Sequence, residues 1–298
     1  MTTRTKAHLA IISANILFGL NYSYSKSVLE WMPGEALTIA RILGGTALFV
    51  TLAIAVVKQK AAKRDIGLLI LASIFGVGGN QFMFLKGLAS TSPVDASIIA
   101  TVGPVLVLVF SAILGRDRIT FLKSLGIGLG ACGALIVIFY GGMASFSRGH
   151  LGGNLLIFAA AVSYSCYLIV VKDLIARYSP ITVMAWTFGV SAIILTPLLG
   201  PSLVKTDWTA FQPAAWGALV FVILGATCLA YVCVAGSLKG LSPTTASIYT
   251  YSQPIIASVF AIFRGQDHLD WIKVAAAALV FSGVFLVTQS YSFDRISH

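Results

Sequence analysis

The chain has 298 residues, of which 58% are hydrophobic and 10% charged, with a mean hydropathy of +0.92. A soluble domain is about 25% charged, so this composition excludes a water-facing surface and points to a chain whose solvent is lipid. The formal charge of +10 has two ordinary origins, nucleic-acid binding and membrane topology, and the placement of the charges decides between them.

A transmembrane helix needs about 20 mostly apolar residues to cross about 30 Å of hydrocarbon. Runs of that kind lie at 7–25, 35–57, 66–85, 93–114, 121–140, 152–171, 180–199, 214–236, 243–263 and 271–290. Short polar joints such as KQKAAKRD and GRDR separate them. The expectation is an all-α integral membrane protein with ten transmembrane helices. The first run follows the basic start MTTRTK but passes into NYSYSK without a cleavage site, which predicts a retained helix rather than a signal peptide.

With the N-terminus placed in the cytoplasm, inside segments hold 13 of the 20 Lys and Arg, outside segments hold 6, and Arg41 lies within a run. That bias predicts both termini inside, in a bacterial inner membrane. No basic face collects on a soluble element, so no nucleic-acid partner is expected. The four cysteines fall inside runs, and the four histidines fall at run ends or in joints. No disulfide framework, metal or cofactor is expected.

The chain also repeats itself. Residues 92–137 lie over 242–287 without a gap, at a constant offset of 150, with 14 identities in 46 positions. These include Ser92/Ser242, Pro93/Pro243, Ser97/Ser247, Pro104/Pro254, Gly115/Gly265, Asp117/Asp267, Lys123/Lys273 and Gly133/Gly283. The expected units are 1–142 and 150–298. Five runs per unit is an odd number, so two copies would enter the membrane from opposite sides. Inverted repeats of this kind are a recurring plan of secondary transporters, with the substrate between the halves near the midplane.

At these residues the sequence resembles a known family. FGLNYSYSK, residues 18–26, is similar to the WGxNxxxxK signature ending the first helix of EamA-type members of the drug/metabolite transporter superfamily. Gly19, Asn21 and Lys26 match, and Phe18 replaces the usual Trp. Pro33 followed by Arg41 resembles the start of that family's second helix. Pro104, Asp117, Arg118, Thr120, Gly126 and Gly133 resemble its P…GER.T…G…G pattern, with Asp for Glu. Pro254, Asp267 and Gly283 match in the second copy, while Ala276 stands where Gly is usual. The resemblance covers essentially the whole chain. It implies a ten-helix carrier of small metabolites, most often an exporter of amino acids or related compounds.

Candidate site residues follow from polarity in an apolar setting. Ser92-Pro93 and Ser242-Pro243 read as helix starts, with Ser as N-cap and Pro at the first helical position. Asp95, in that first turn, serves either the helix dipole or a proton or cation. Ser97, Thr101 and Pro104 share one helical face, and Ser247, Tyr251 and Pro254 repeat it, joined by Gln253. Such a stripe either lines a cavity or bonds its own backbone at a kink. Asn15, Asn21, Asn80, Gln81, Tyr164, Tyr167 and Tyr231 also lie deep in apolar runs and must point inward, to a cavity or to neighbouring helices. Gly76, Gly78, Gly79 and Gly87 fit close helix packing.

Arg41 lies about one and a half turns inside its run. It either snorkels or pairs with Glu30 or Glu35, or it contacts an anion or carboxylate. Lys26 invites the same reading. No Asp or Glu lies near the middle of a run, which disfavours ion coupling through a buried acid. A lining of amides, hydroxyls and tyrosines suits neutral, zwitterionic or aromatic solutes. The leading expectation is export of amino acids, aromatic ones among them, with drug or xenobiotic efflux as the alternative. The partners expected are a small-molecule substrate and the bilayer, with the protein a monomer or homodimer and not an enzyme.

Overall fold

The computed structural model of the protein describes residues 3–115, 120–144, 148–266 and 270–296. Asp117, Arg118 and Asp267 of the sequence motifs lie outside them. The described residues form helices and joints, with no strand. In chain order the helices are α1 (Thr3–Val28), α2 (Gly34–Val57), α3 (Lys63–Ala89), α4 (Pro93–Ile113), α5 (Phe121–Ala144), α6 (Arg148–Ile175), α7 (Pro180–Val204), α8 (Pro213–Ser237), α9 (Pro243–Phe263) and α10 (Trp271–Ile296). Among the described residues seven, α2–α4 and α6–α9, are long and apolar enough to cross a membrane by length and composition.

Ser-Pro joints set three helix starts. Ser92, Ser179 and Ser242 are extended N-caps whose Oγ accepts from the amide of Asp95 (3.0 Å), Thr182 (3.1 Å) and Thr245 (3.1 Å). Each satisfies one of the four orphan amides of a helix start, and the following proline has no amide to leave unpaired. The exits of α4 and α9 also correspond: both turn through a glycine with φ of 67°, Gly115 and Gly265. A side chain at either would be strained in that left-handed conformation.

Besides a π turn that ends α2 at Ala53–Val57, four helices are irregular in mid-length, at corresponding places. α3 widens into π turns at Ile74–Gly79, and α8 at Phe221–Leu229. α4 breaks at Thr101 and Val102, and α9 tightens into a 3-10 turn at Tyr249–Ser252. Pro104 and Pro254 head the segments after these breaks, Gly103–Ile113 and Gln253–Phe263. Each proline therefore starts a new helical segment, and its missing N–H falls where a helix lacks a partner in any case.

The helices pack in a pattern that survives exchanging each for the one five further on. α2 packs on α7 and α5 on α10; α3 on α6 as α1 on α8; and α4 on α6 as α1 on α9. Tyr167, Phe49, Phe188, Ile39, Ile42 and Leu69 are fully buried in the largest apolar cluster, formed mainly by α2, α3, α6, α7 and α8. Two polar clusters tie the ends of α3. At its N-terminal end buried Asp65 accepts from Arg177 Nη1 and from Tyr178 Oη (2.6 Å). At its C-terminal end Lys26 Nζ donates to the carbonyls of Leu88 (2.9 Å), Ala89 (3.1 Å) and Thr91 (2.8 Å).

Candidate functional site

Residues at or beside the irregular turns line a cavity whose empty volume, open solvent included, is about 760 Å³. Both halves of the chain line it. The first contributes Phe18, Asn21 and Tyr22 of α1, Arg41 of α2, Asn80, Gln81 and Phe84 of α3, and Ala100 and Gly103 of α4. The second contributes Ile157, Ala160, Ala161, Tyr164, Ser165 and Leu168 of α6, Tyr231 of α8, and Ser247, Thr250 and Gln253 of α9.

The backbone explains why polar groups gather here. A π turn releases carbonyls from the regular ladder, and in hydrocarbon each must find another donor. Gly76 O accepts from Tyr231 Oη at 2.8 Å, and Phe75 O accepts from Ser163 Oγ at 2.8 Å. Ser73 O, just before the widened turn, accepts from Ser191 Oγ at 3.1 Å. Asn80 and Gln81 follow the π turn of α3 directly, and Tyr231 stands in the same relation to that of α8. Gln81 and Tyr231 are 150 residues apart, the offset of the sequence repeat.

Hydrogen bonds hold most of the lining in place. Asn21 Oδ1 accepts from Ser25 Oγ (2.9 Å), Tyr22 Oη donates to Gln253 Oε1 (3.2 Å), and Gln253 Nε2 donates to Asn15 Oδ1 (2.7 Å). Asn80 Nδ2 donates across to Ala160 O at 2.9 Å. The Phe18 ring meets Tyr164 and Tyr231 edge-on, with centroids 6.4 and 6.1 Å apart. Tyr22 and Phe84 make a similar pair at 5.4 Å. Arg41 is 3% exposed, and its Nε donates to Thr227 Oγ1 at 2.8 Å, while that hydroxyl donates to Val222 O at 2.8 Å. Arg41 Nη1 and both amide atoms of Gln81 are buried without a hydrogen-bond partner. Among the described residues lining the cavity, Arg41 alone is charged.

Asn21, Asn80, Gln81, Tyr164, Tyr231, Ser247 and Gln253 line this cavity, as does Arg41. Asn15 lines a smaller pocket of about 250 Å³ that shares Phe18, Tyr164, Ser247 and Gln253 with it. The other expected residues lie outside the lining, for identifiable reasons. Ser97 and Thr101 are buried but turn onto their own backbone, donating to Val94 O and Ile98 O. Tyr167 is fully buried against Gly76, where a Cβ would overlap its ring. Tyr251 faces Phe281 of α10, centroids 6.4 Å apart. Pro104 and Pro254 begin helical segments beside the cavity without lining it. The Lys26 ammonium, read as a charge contact from the sequence, instead caps the end of α3.

Of the wall from α6, sequence reasoning named Tyr164 and missed the rest. Residues 157, 160, 161, 165 and 168 share its helical stripe, but a stripe of mostly small and apolar residues looks the same whether it faces a cavity or a neighbouring helix. Phe18 had a usable signal, since it shares a helix face with Asn21 three residues on, and Tyr22 lies one turn on from Phe18.

Comparison with known proteins places this architecture. The EamA-like transporter family model matches residues 5–139 and 151–289. The chain belongs to the EamA-like transporter family. The protein is thus a multi-pass membrane transporter carrying two copies of one module. It is 22% identical over 282 residues to the uncharacterized transporter YyaM of Bacillus subtilis (strain 168), covering 93% of this chain and 92% of that one. It is 25% identical over 231 residues to a probable terminal-alkyne amino-acid exporter of Streptantibioticus cattleyicolor, covering 78% and 76%. One solved crystal structure matches with a TM-score of 0.70 at 20% identity, over 96% of this chain and 98% of that one. At that identity the likeness shows the fold.

Proposed function

We propose that this EamA-like transporter is an exporter of small metabolites, chiefly amino acids and aromatic ones among them. It works by alternating access at the cavity between its halves, units 1–142 and 150–298. One observation carries the reading: residues at or beside the interruptions of α3, α4, α8 and α9 line a single cavity, to which both halves contribute. Broken helices around a site at a repeat interface are the usual construction of secondary transporters, because irregular backbone is tolerated at membrane depth only where it lines a cavity or is buried in protein. The name of the Streptantibioticus relative supports the substrate class.

The proposed topology is ten crossings of a bacterial inner membrane, five per half, the second half inverted and both termini cytoplasmic. Helix directions support the inversion. The C-terminal end of α1 meets the C-terminal end of α3 through Lys26, whereas Arg177, just past α6, meets Asp65 at the N-terminal end of α3. α1 and α6, the first helices of the two halves, thus run in opposite senses. Drug efflux has less support, since the lining offers a cationic drug no carboxylate.

Reconstitution tests the function. Liposomes containing the purified protein and loaded with single amino acids are expected to release aromatic ones faster than protein-free liposomes. Absence of protein-dependent flux across all twenty would overturn the reading.

A further inference from the structure

We infer that Arg41 is the contact for a substrate carboxylate, and that the cavity selects monocarboxylates with an apolar or aromatic body whether or not they carry an amino group. The inference rests on the transporter reading for its setting and goes beyond it in assigning the specificity-determining charge. Its first support is the state of Arg41 itself. A guanidinium stays protonated in proteins, and a charge within a membrane span persists only against a partner, an interface or a cavity. Arg41 reaches no interface, being 3% exposed. It has no carboxylate partner: Glu35 pairs with Lys86 at 3.1 Å, and Asp65 with Arg177. Its hydrogen bond is the neutral one from Nε to Thr227 Oγ1. That bond fixes the orientation of the planar group and leaves Nη1 buried and unpartnered, on a residue that lines the cavity.

The surroundings define the ligand. Gln81 lines the same cavity and adds a neutral amide donor and acceptor to it. Guanidinium donors match the two oxygens of a carboxylate, so an entering anion satisfies the orphaned Nη1 and neutralises the site together. The rings of Phe18, Tyr164 and Phe84 offer the rest of the molecule an apolar bed. Against this, the lining holds no acid among the described residues. The ammonium of an amino acid meets only neutral oxygens and ring faces, which makes the carboxylate the recognised group and the amine dispensable.

Isosteric ligands separate charge from shape. Binding of 3-phenylpropanoate and 3-phenylpropanamide to the purified full-length protein is measured by calorimetry at neutral pH. The wild type is expected to bind the acid at least tenfold more tightly than the amide. Arg41→Gln is expected to bring the acid down to the affinity of the amide while leaving the amide unchanged, and Arg41→Lys to retain part of the preference. A structural role alone would weaken both ligands together. Equal affinities in the wild type, no binding of the acid, or a preference that survives in Arg41→Gln each overturn the inference. Should Arg41→Gln not fold, the wild-type comparison decides, joined by Thr227→Val, which unpins the guanidinium and is expected to lower acid affinity severalfold. Amino-acid flux without this preference overturns the carboxylate contact and leaves the transporter standing. Preference without any flux does the reverse.

Discussion

Two lysines far apart in sequence have one task. Lys26, at the end of α1, donates to the carbonyls of Leu88 and Thr91, and Lys172, near the end of α6, donates to those of Leu238 (2.5 Å) and Leu241 (2.9 Å). The acceptors are related by the repeat offset of 150, while the donors differ by 146. The last carbonyls of a helix lack intrahelical partners and carry its negative dipole end, so a partly buried ammonium reaching them satisfies both needs. Lys26→Met and Lys172→Met keep the stem and remove the charge. Each is expected to cost about 1–3 kcal/mol, read as a lower unfolding temperature in detergent, and an unchanged temperature for both would refute the capping role. Gly76→Ala is a steric test, because its Cβ would overlap the fully buried ring of Tyr167. Overpacking of this sort costs about 1–3 kcal/mol. Gly189→Ala, with open space at the Cβ, is the control and is expected to be neutral. At this scale the amides were legible: Asn21, Asn80 and Gln81 cannot face lipid cheaply, and they line the cavity. The hydroxyls were less so. The same argument places Ser97 and Thr101 inward, but a short hydroxyl satisfies itself on the carbonyl three residues back and so carries no information about a cavity.

Helix starts written in side-chain chemistry were legible, and those written in tertiary contacts were not. The runs beginning at 93, 180 and 243 start at Pro93, Pro180 and Pro243 because Ser-Pro is a local signal. The run expected at 66–85 extends over Lys63–Ala89, where no side-chain cap marks the entry. The π turn of α3 had no signature at all, since its freed carbonyls take donors arriving from other helices, whereas in α8 Val222 O accepts from Thr227 of the same turn. Tyr231 is the donor for Gly76 O, across 155 residues of sequence. Tyr231→Phe leaves the carbonyl unsatisfied beside the cavity and is expected to cost about 1–3 kcal/mol. Thermal unfolding measures the loss, and a variant as stable as the wild type would show that the π turn of α3 stands without it. Because Tyr231 also packs on Phe18 at 6.1 Å, the variant keeps the ring and isolates the hydroxyl.

The whole molecule is organised by the relation between its halves, and that relation predicts where its ends emerge. α3 and α8 are counterparts, each widened by a π turn, capped by a lysine, and followed by a Ser-Pro helix start. Were the halves related without inversion, the C-terminal ends of α3 and α8 would open on one face of the membrane. Under inversion they open on opposite faces, and with a cytoplasmic N-terminus the end of α3 lies outside. Ser90 and Lys239 are exposed at those two ends. The test replaces Cys132, Cys166, Cys228 and Cys233, then introduces Ser90→Cys or Lys239→Cys singly and treats intact cells with a membrane-impermeant maleimide. Ser90→Cys is expected to label at once and Lys239→Cys only after permeabilisation. Labelling of both from one side would remove the inverted repeat. Labelling in the reverse order would preserve the inversion and move the N-terminus outside, which would leave the excess of basic joints on the wrong face for the charge rule that oriented the chain.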